Sequence, residues 1–138
     1  MKLKIIIVLI LLFAAGLAAA LWYTSSVEYR YGIKIQGVHL SAAGYMLDFR
    51  YKVLNSNKAL PLFDRRQAPY ILDISTGAKF FVAAPPKIGT LRHTFRGTPP
   101  KEDRGYFMIF GNPWHYVKAG NKVAIVVGNF KSDEIIVQ

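Results

Sequence analysis

No charged residue interrupts the chain from Ile5 to Tyr23, and no polar face recurs in that run at helical spacing. Nineteen such residues, at about 1.5 Å each, make roughly 28 Å of helix, close to the roughly 30 Å hydrocarbon thickness of a bilayer. Lys2 and Lys4 precede the run, and Trp22 and Tyr23 end it. Basic residues favour the cytoplasmic side, and amphipathic rings settle at the headgroup level. A single span with a cytoplasmic amino terminus is therefore predicted over residues 1–23. The competing reading is a cleaved signal peptide, because Ala18-Ala19-Ala20 comes after a short basic region and an apolar core. Both readings export the rest of the chain.

After Tyr23 the period shortens. Residues 24–32 read as a juxtamembrane linker, and residues 33–138 as one β domain. Ile33 and Ile35 alternate with Lys34 and Gln36, whereas Val38 and Leu40 take the opposite parity, so a bulge is predicted near Gly37. Ser41 to Gly44 reads as a turn. Beyond it Tyr45, Leu47, Phe49, Tyr51 and Val53 share one face, against Met46, Asp48, Arg50 and Lys52 on the other. Tyr70 to Ile74 and Ala78 to Ala83 flank Ser75-Thr76-Gly77 as a hairpin. Tyr106 to Phe110 and Lys122 to Phe130 read as strands covered on both sides. Ile135 to Val137 and Leu91 to Phe95 read as edge pieces. Seven or eight short strands with no amphipathic helix outside the anchor predict a mainly β protein: a transmembrane helix, then an antiparallel immunoglobulin-like β-sandwich. A small β-barrel is the alternative.

Two connections are long. Asn55 to Pro69 reads as a crossover between sheets. Ala84 to Gly105 carries two Pro-Pro pairs, three glycines and five basic residues, and a loop of that length in a compact domain is usually functional or mobile.

Composition then removes several function classes. Within 138 residues there is no cysteine, so disulfides, thiolate metal sites and cysteine nucleophiles are excluded. No G-x-S-x-G elbow or glycine-rich phosphate loop occurs, and the eight acids are scattered. No catalytic residue or cofactor is assigned, and the chain is read as a non-enzyme. His93, Met108 and His115 are the one trio that suits copper, although no His-x-His or His-x-Met pair supports it. A net charge of +10 suits polyanions. An exported domain meets lipid headgroups and cell-envelope polymers rather than nucleic acid, and Arg30, Lys34, Arg65, Arg66, Arg92 and Arg96 are candidates for that contact.

The leading functional expectation is a non-catalytic accessory or assembly subunit of a larger bacterial membrane complex, in the cytoplasmic membrane with its β domain periplasmic. Ala15, Gly16, Ala19 and Ala20 would let another helix approach closely. Trp22, Tyr23, Trp114 and Tyr116 join the four arginines as candidate partner-binding residues, because exposed aromatics and arginines are favoured at interfaces. Integral membrane subunits and the bilayer are the expected partners. The alternative is a free-standing exported carrier of a metal or small ligand. The run Gly37 to Tyr51 and the stretch Val117 to Val123 resemble uncharacterised bacterial exported proteins with a single amino-terminal anchor, and the latter also resembles the turn entering a late strand of immunoglobulin-like sandwiches. The resemblance implies compartment and fold class and brings no activity or site.

Overall fold

The computed structural model describes residues 1–138, the side chain of Ser25 aside. Helix α1 (Lys2–Ser25) contains the apolar run, and none of its span is buried against the rest of the protein. By length and composition it can cross a membrane. Within the stretch read as a linker, Val27–Tyr31 forms a one-turn helix, α2. Local chemistry explains it: the Ser26 side chain caps the start by accepting from the Tyr29 N–H, and Gly32 ends it in the left-handed region at φ 58°. Gly32 has a second reason to be glycine. A Cβ there would stand 2.7 Å from Asn55 Cβ, while its carbonyl accepts from the N–H groups of Leu54 and Asn55. Glu28 fixes the other side by accepting from the Ile35 N–H.

Eight antiparallel strands make up the domain. The first sheet has the order β1 (Ile33–Ser41), β2 (Met46–Val53), β5 (Gly105–Gly111). The second has the order β4 (Lys79–Phe81), β3 (Tyr70–Asp73), β6 (Lys122–Val127), β7 (Phe130–Lys131), with β8 (Ile135–Ile136) also paired to β6. The register between β1 and β2 slips between Ile35 and Gly37, where the change of parity placed a bulge. Leu47, Phe49, Tyr51 and Val53 are fully buried, as their alternation demands, and face a core that includes Ile71, Val123, Ile125 and Phe130. Each such burial contributes about 1.5–3 kcal/mol before entropy is counted.

Three sequence expectations need correction. Helix equals strand at 31% of the chain each, so "mainly β" describes only the carboxy-terminal domain. The excess comes from α1, α2, α3 (Ser56–Ala59) and short 3-10 turns; α3 and the 3-10 turn Leu60–Phe63 fill the crossover from β2 to β3 and bury Ala59, Leu62 and Phe63. Strand β5 is not covered on both sides: Tyr106, Met108 and Phe110 are buried, whereas Phe107 and Ile109 are half-buried on an outer face that His93 and Arg50 cover only in part. Leu91 to Phe95 forms no strand and makes one bridge, Arg92 to Met108.

Backbone hydrogen bonds join the two sheets at both seams. On one side Val82 bridges to Phe110 and the Ala83 N–H donates to Ile109 O; on the other, Leu40 N–H donates to Gln138 O and Gln138 N–H to Val38 O. The long connection from Ala84 to Gly105 is also tied down, through Leu91 N–H to Ala83 O, Phe95 N–H to Phe63 O and Asp103 N–H to Val53 O.

Candidate functional site

Strand direction gives the domain two ends. β1 leaves α2 at Ile33 and finishes at Ser41, so the loops after β1 and β5 lie at the end remote from α1, one eight-residue strand away, or roughly 25 Å. Both remote loops are strained in the same way. Ala42 and Ala43 have φ of 48° and 55°, and Trp114 and His115 have φ of 59° and 52°. A side chain in the left-handed region costs of order 1 kcal/mol, so these four positions persist only because their surroundings hold them.

Asn112 is what holds them. It is fully buried at the end of β5. Its amide nitrogen donates to Gly44 O at 2.9 Å and Val117 O at 2.8 Å, and its side-chain oxygen accepts from the Val117 N–H at 2.9 Å. Its own N–H donates to Tyr45 O. One side chain thus joins both turns. The result is an aromatic tip: the Tyr45 and His115 rings meet edge to face at 4.1 Å, Tyr116 packs on Phe80 at 5.3 Å, and Trp114 stands 92% exposed. Tyr45, read as the first residue of the buried face, is 58% exposed because β2 starts one residue later.

The predicted arginines come together elsewhere. Arg65, Arg66 and Arg96 line a cleft of about 900 Å³ with Leu60, Pro61 and Phe95, and Arg65, Arg92 and Arg96 line an adjoining one of about 310 Å³. Their roles differ. Arg92 is half-buried and donates to the carbonyls of Leu62, Asp64 and Gln67 at 3.3, 2.7 and 2.9 Å, so it clamps the loop; burial lowers its pKa. Arg66 is engaged with Asp64 through paired contacts, and its hydrogen bonds hold the Asp64 carboxyl below the usual carboxylate range. Arg65 and Arg96 are exposed and make no hydrogen bond or ion pair among the described residues.

The remaining candidates are dispersed. Ala15, Gly16, Ala19 and Ala20 lie on the exposed surface of α1, with open space around Gly16. Ala19, Trp22 and Tyr23 border a cleft with Val27 and Asp133 where α1 meets the domain. Of the copper trio, Met108 is buried in the core, His93 sits outside against Tyr106 and Phe107, and His115 belongs to the remote tip. The fold therefore gives the three different surroundings. Among the described residues no group of three or more His, Cys, Asp or Glu is placed to hold a metal.

Sequence reading missed Asn112, whose only local signal is the Asn-Pro dipeptide, and the apolar lining that Leu60 and Phe95 give the basic cleft. Comparison with family models, with curated proteins and with solved structures finds no match.

Proposed function

We propose that this protein is a single-pass membrane subunit, amino terminus in the cytoplasm, that docks on a larger integral membrane complex through α1 and through the aromatic tip of its exported domain. The observation that carries the reading is Trp114, almost wholly exposed and held at positive φ by a buried asparagine. A large apolar ring in water, on strained backbone, lowers the stability of the isolated domain; it is the arrangement expected where a rigid aromatic anchor enters a partner's pocket. The small residues of α1 and the absence of burial along it support a second contact within the bilayer. The backbone bonds across both seams favour a small closed barrel over an open immunoglobulin-like sandwich, and closure removes the sheet edges that would otherwise invite pairing.

Trp114→Gly tests this reading. Glycine relieves the positive φ, so the variant melts no lower than the parent and gains up to about 1 kcal/mol. Native mass measurement after gentle detergent extraction is expected to show the parent in a large assembly and the variant as a lone chain. An assembly of unchanged mass with Trp114→Gly rejects the tip as the docking element. Placement is checked separately: with no native cysteine, Lys87→Cys in the exposed 84–105 loop reports its side of the membrane to an impermeant maleimide, and labelling only after lysis rejects export.

A further inference from the structure

The basic cleft is built differently from the tip. The Tyr23 ring, at the close of the apolar run, lies 5.5 Å from that of Tyr29; Lys58 Nζ sits 4.1 Å over Tyr29; and Leu60, two residues on, lines the 900 Å³ cleft. A chain of contacts therefore runs from the end of the apolar helix through Tyr29 to Lys58, two residues before the Leu60 of the cleft. Three guanidiniums face the cleft against one carboxylate, and that carboxylate is already occupied by Arg66. Arg65 and Arg96, whose guanidiniums have no protein partner among the described residues, both line this cleft and the adjoining one. Their backbone is not free to collapse, because Arg92 grips the carbonyls on both sides of Arg65 and Phe95 N–H donates to Phe63 O one residue before Arg96. Guanidinium forks match phosphate oxygens, and Leu60, Pro61 and Phe95 supply an apolar wall that a free inorganic anion would not use.

We propose that Arg65 and Arg96 hold the phosphate of an anionic phospholipid from the outer leaflet of the membrane, with Leu60, Pro61 and Phe95 against its glycerol and upper acyl carbons. This site would set the tilt of the domain on the bilayer. It rests on the proposed membrane placement but not on docking through Trp114.

The test uses the full chain, delipidated in non-ionic detergent, with phosphatidylglycerol or phosphatidylcholine added and retained lipid read by native mass spectrometry. The parent is expected to keep one phosphatidylglycerol in preference to phosphatidylcholine. Arg65→Ala/Arg96→Ala is expected to bind it about thirtyfold more weakly, since each basic residue at a headgroup contributes about 1 kcal/mol. Lys118→Ala/Lys131→Ala, which removes the same charge elsewhere on the exposed surface, is expected to leave it unchanged. Both arginines are exposed, so the melting temperature stays near the parent's; should the alanine pair unfold, Arg65→Gln/Arg96→Gln is expected to show the same loss. Equal weakening by the lysine pair, equal retention of the two lipids, or displacement of the lipid by millimolar inorganic phosphate overturns the proposal. So does an acidic polypeptide bound at this cleft in place of lipid. Lipid retention is read in detergent, so it stays informative even if the maleimide experiment rejects export.

Discussion

Asn112 shows how much a single residue contributes when both of its polar groups are buried and satisfied. Two turns containing four left-handed residues converge on it, and among the described residues no other side chain bonds to Gly44 O or to the Val117 backbone. Asn112→Ala is expected to cost about 3 kcal/mol, because it leaves buried donors and acceptors unpaired as well as losing the bonds themselves. Against a total of about 5–15 kcal/mol for a domain, that is a large shift in the urea midpoint. Assembly should fall as well, since the tip loses its fixed shape. A midpoint within about 0.5 kcal/mol of the parent would show that other contacts hold the tip. Trp114→Gly, two residues on in the same turn, is expected to move stability in the opposite direction, so the pair separates holding from docking.

Among the elements, the β3–β4 hairpin carries the clearest pH dependence. Burial of Asp73 works against its charged form, yet the Ser75 hydroxyl at 2.7 Å and the N–H groups of Ser75 and Thr76 outweigh it and keep the carboxyl below its ordinary value. A carboxyl whose pKa is lower folded than unfolded stabilises the fold fully above the unfolded value, about 4, and the benefit disappears as pH falls through the folded value. The parent is therefore expected to lose stability below about pH 4 relative to Asp73→Asn, whose turn contribution does not titrate there. Equal slopes for the two proteins between pH 5 and 2.5 would refute the assignment. The hairpin itself is legible from Ser75-Thr76-Gly77, because turn chemistry is local. The capping carboxylate is not, because Asp73 reads as part of a strand until its burial is known.

At the scale of the molecule, the proposed docking would be divided between the apolar helix and the β domain. The face of α1 carrying Gly16 and Ala20 has nothing of its own chain against it. Replacing residues 5–23 by an unrelated leucine-rich span is expected to preserve insertion and the melting of the β domain while removing the protein from its assembly, read by native mass after mild extraction. Retained assembly would assign docking to the domain alone. The basic cleft is likewise a property of the whole chain: Arg65 and Arg96 are thirty-one positions apart, and only the crossover and the long loop folding against each other bring them to one wall.

Periodicity alone determined the long apolar helix, the bulge near Gly37, the buried face Leu47 to Val53 and the antiparallel pairing of short strands, because each depends on which neighbouring positions avoid water. The seating of the Val27–Tyr31 helix against Asn55, the filling of the crossover by Leu62 and Phe63, the bonding across both seams, the exposure of Tyr45 and the meeting of the arginines were decided only by the tertiary structure. Those features depend on partners far away in sequence, such as Asn55 against Gly32, Gln138 against β1 and Asn112 against Gly44. A local pattern records the affinity of a side chain for water and not the identity of the group it will meet.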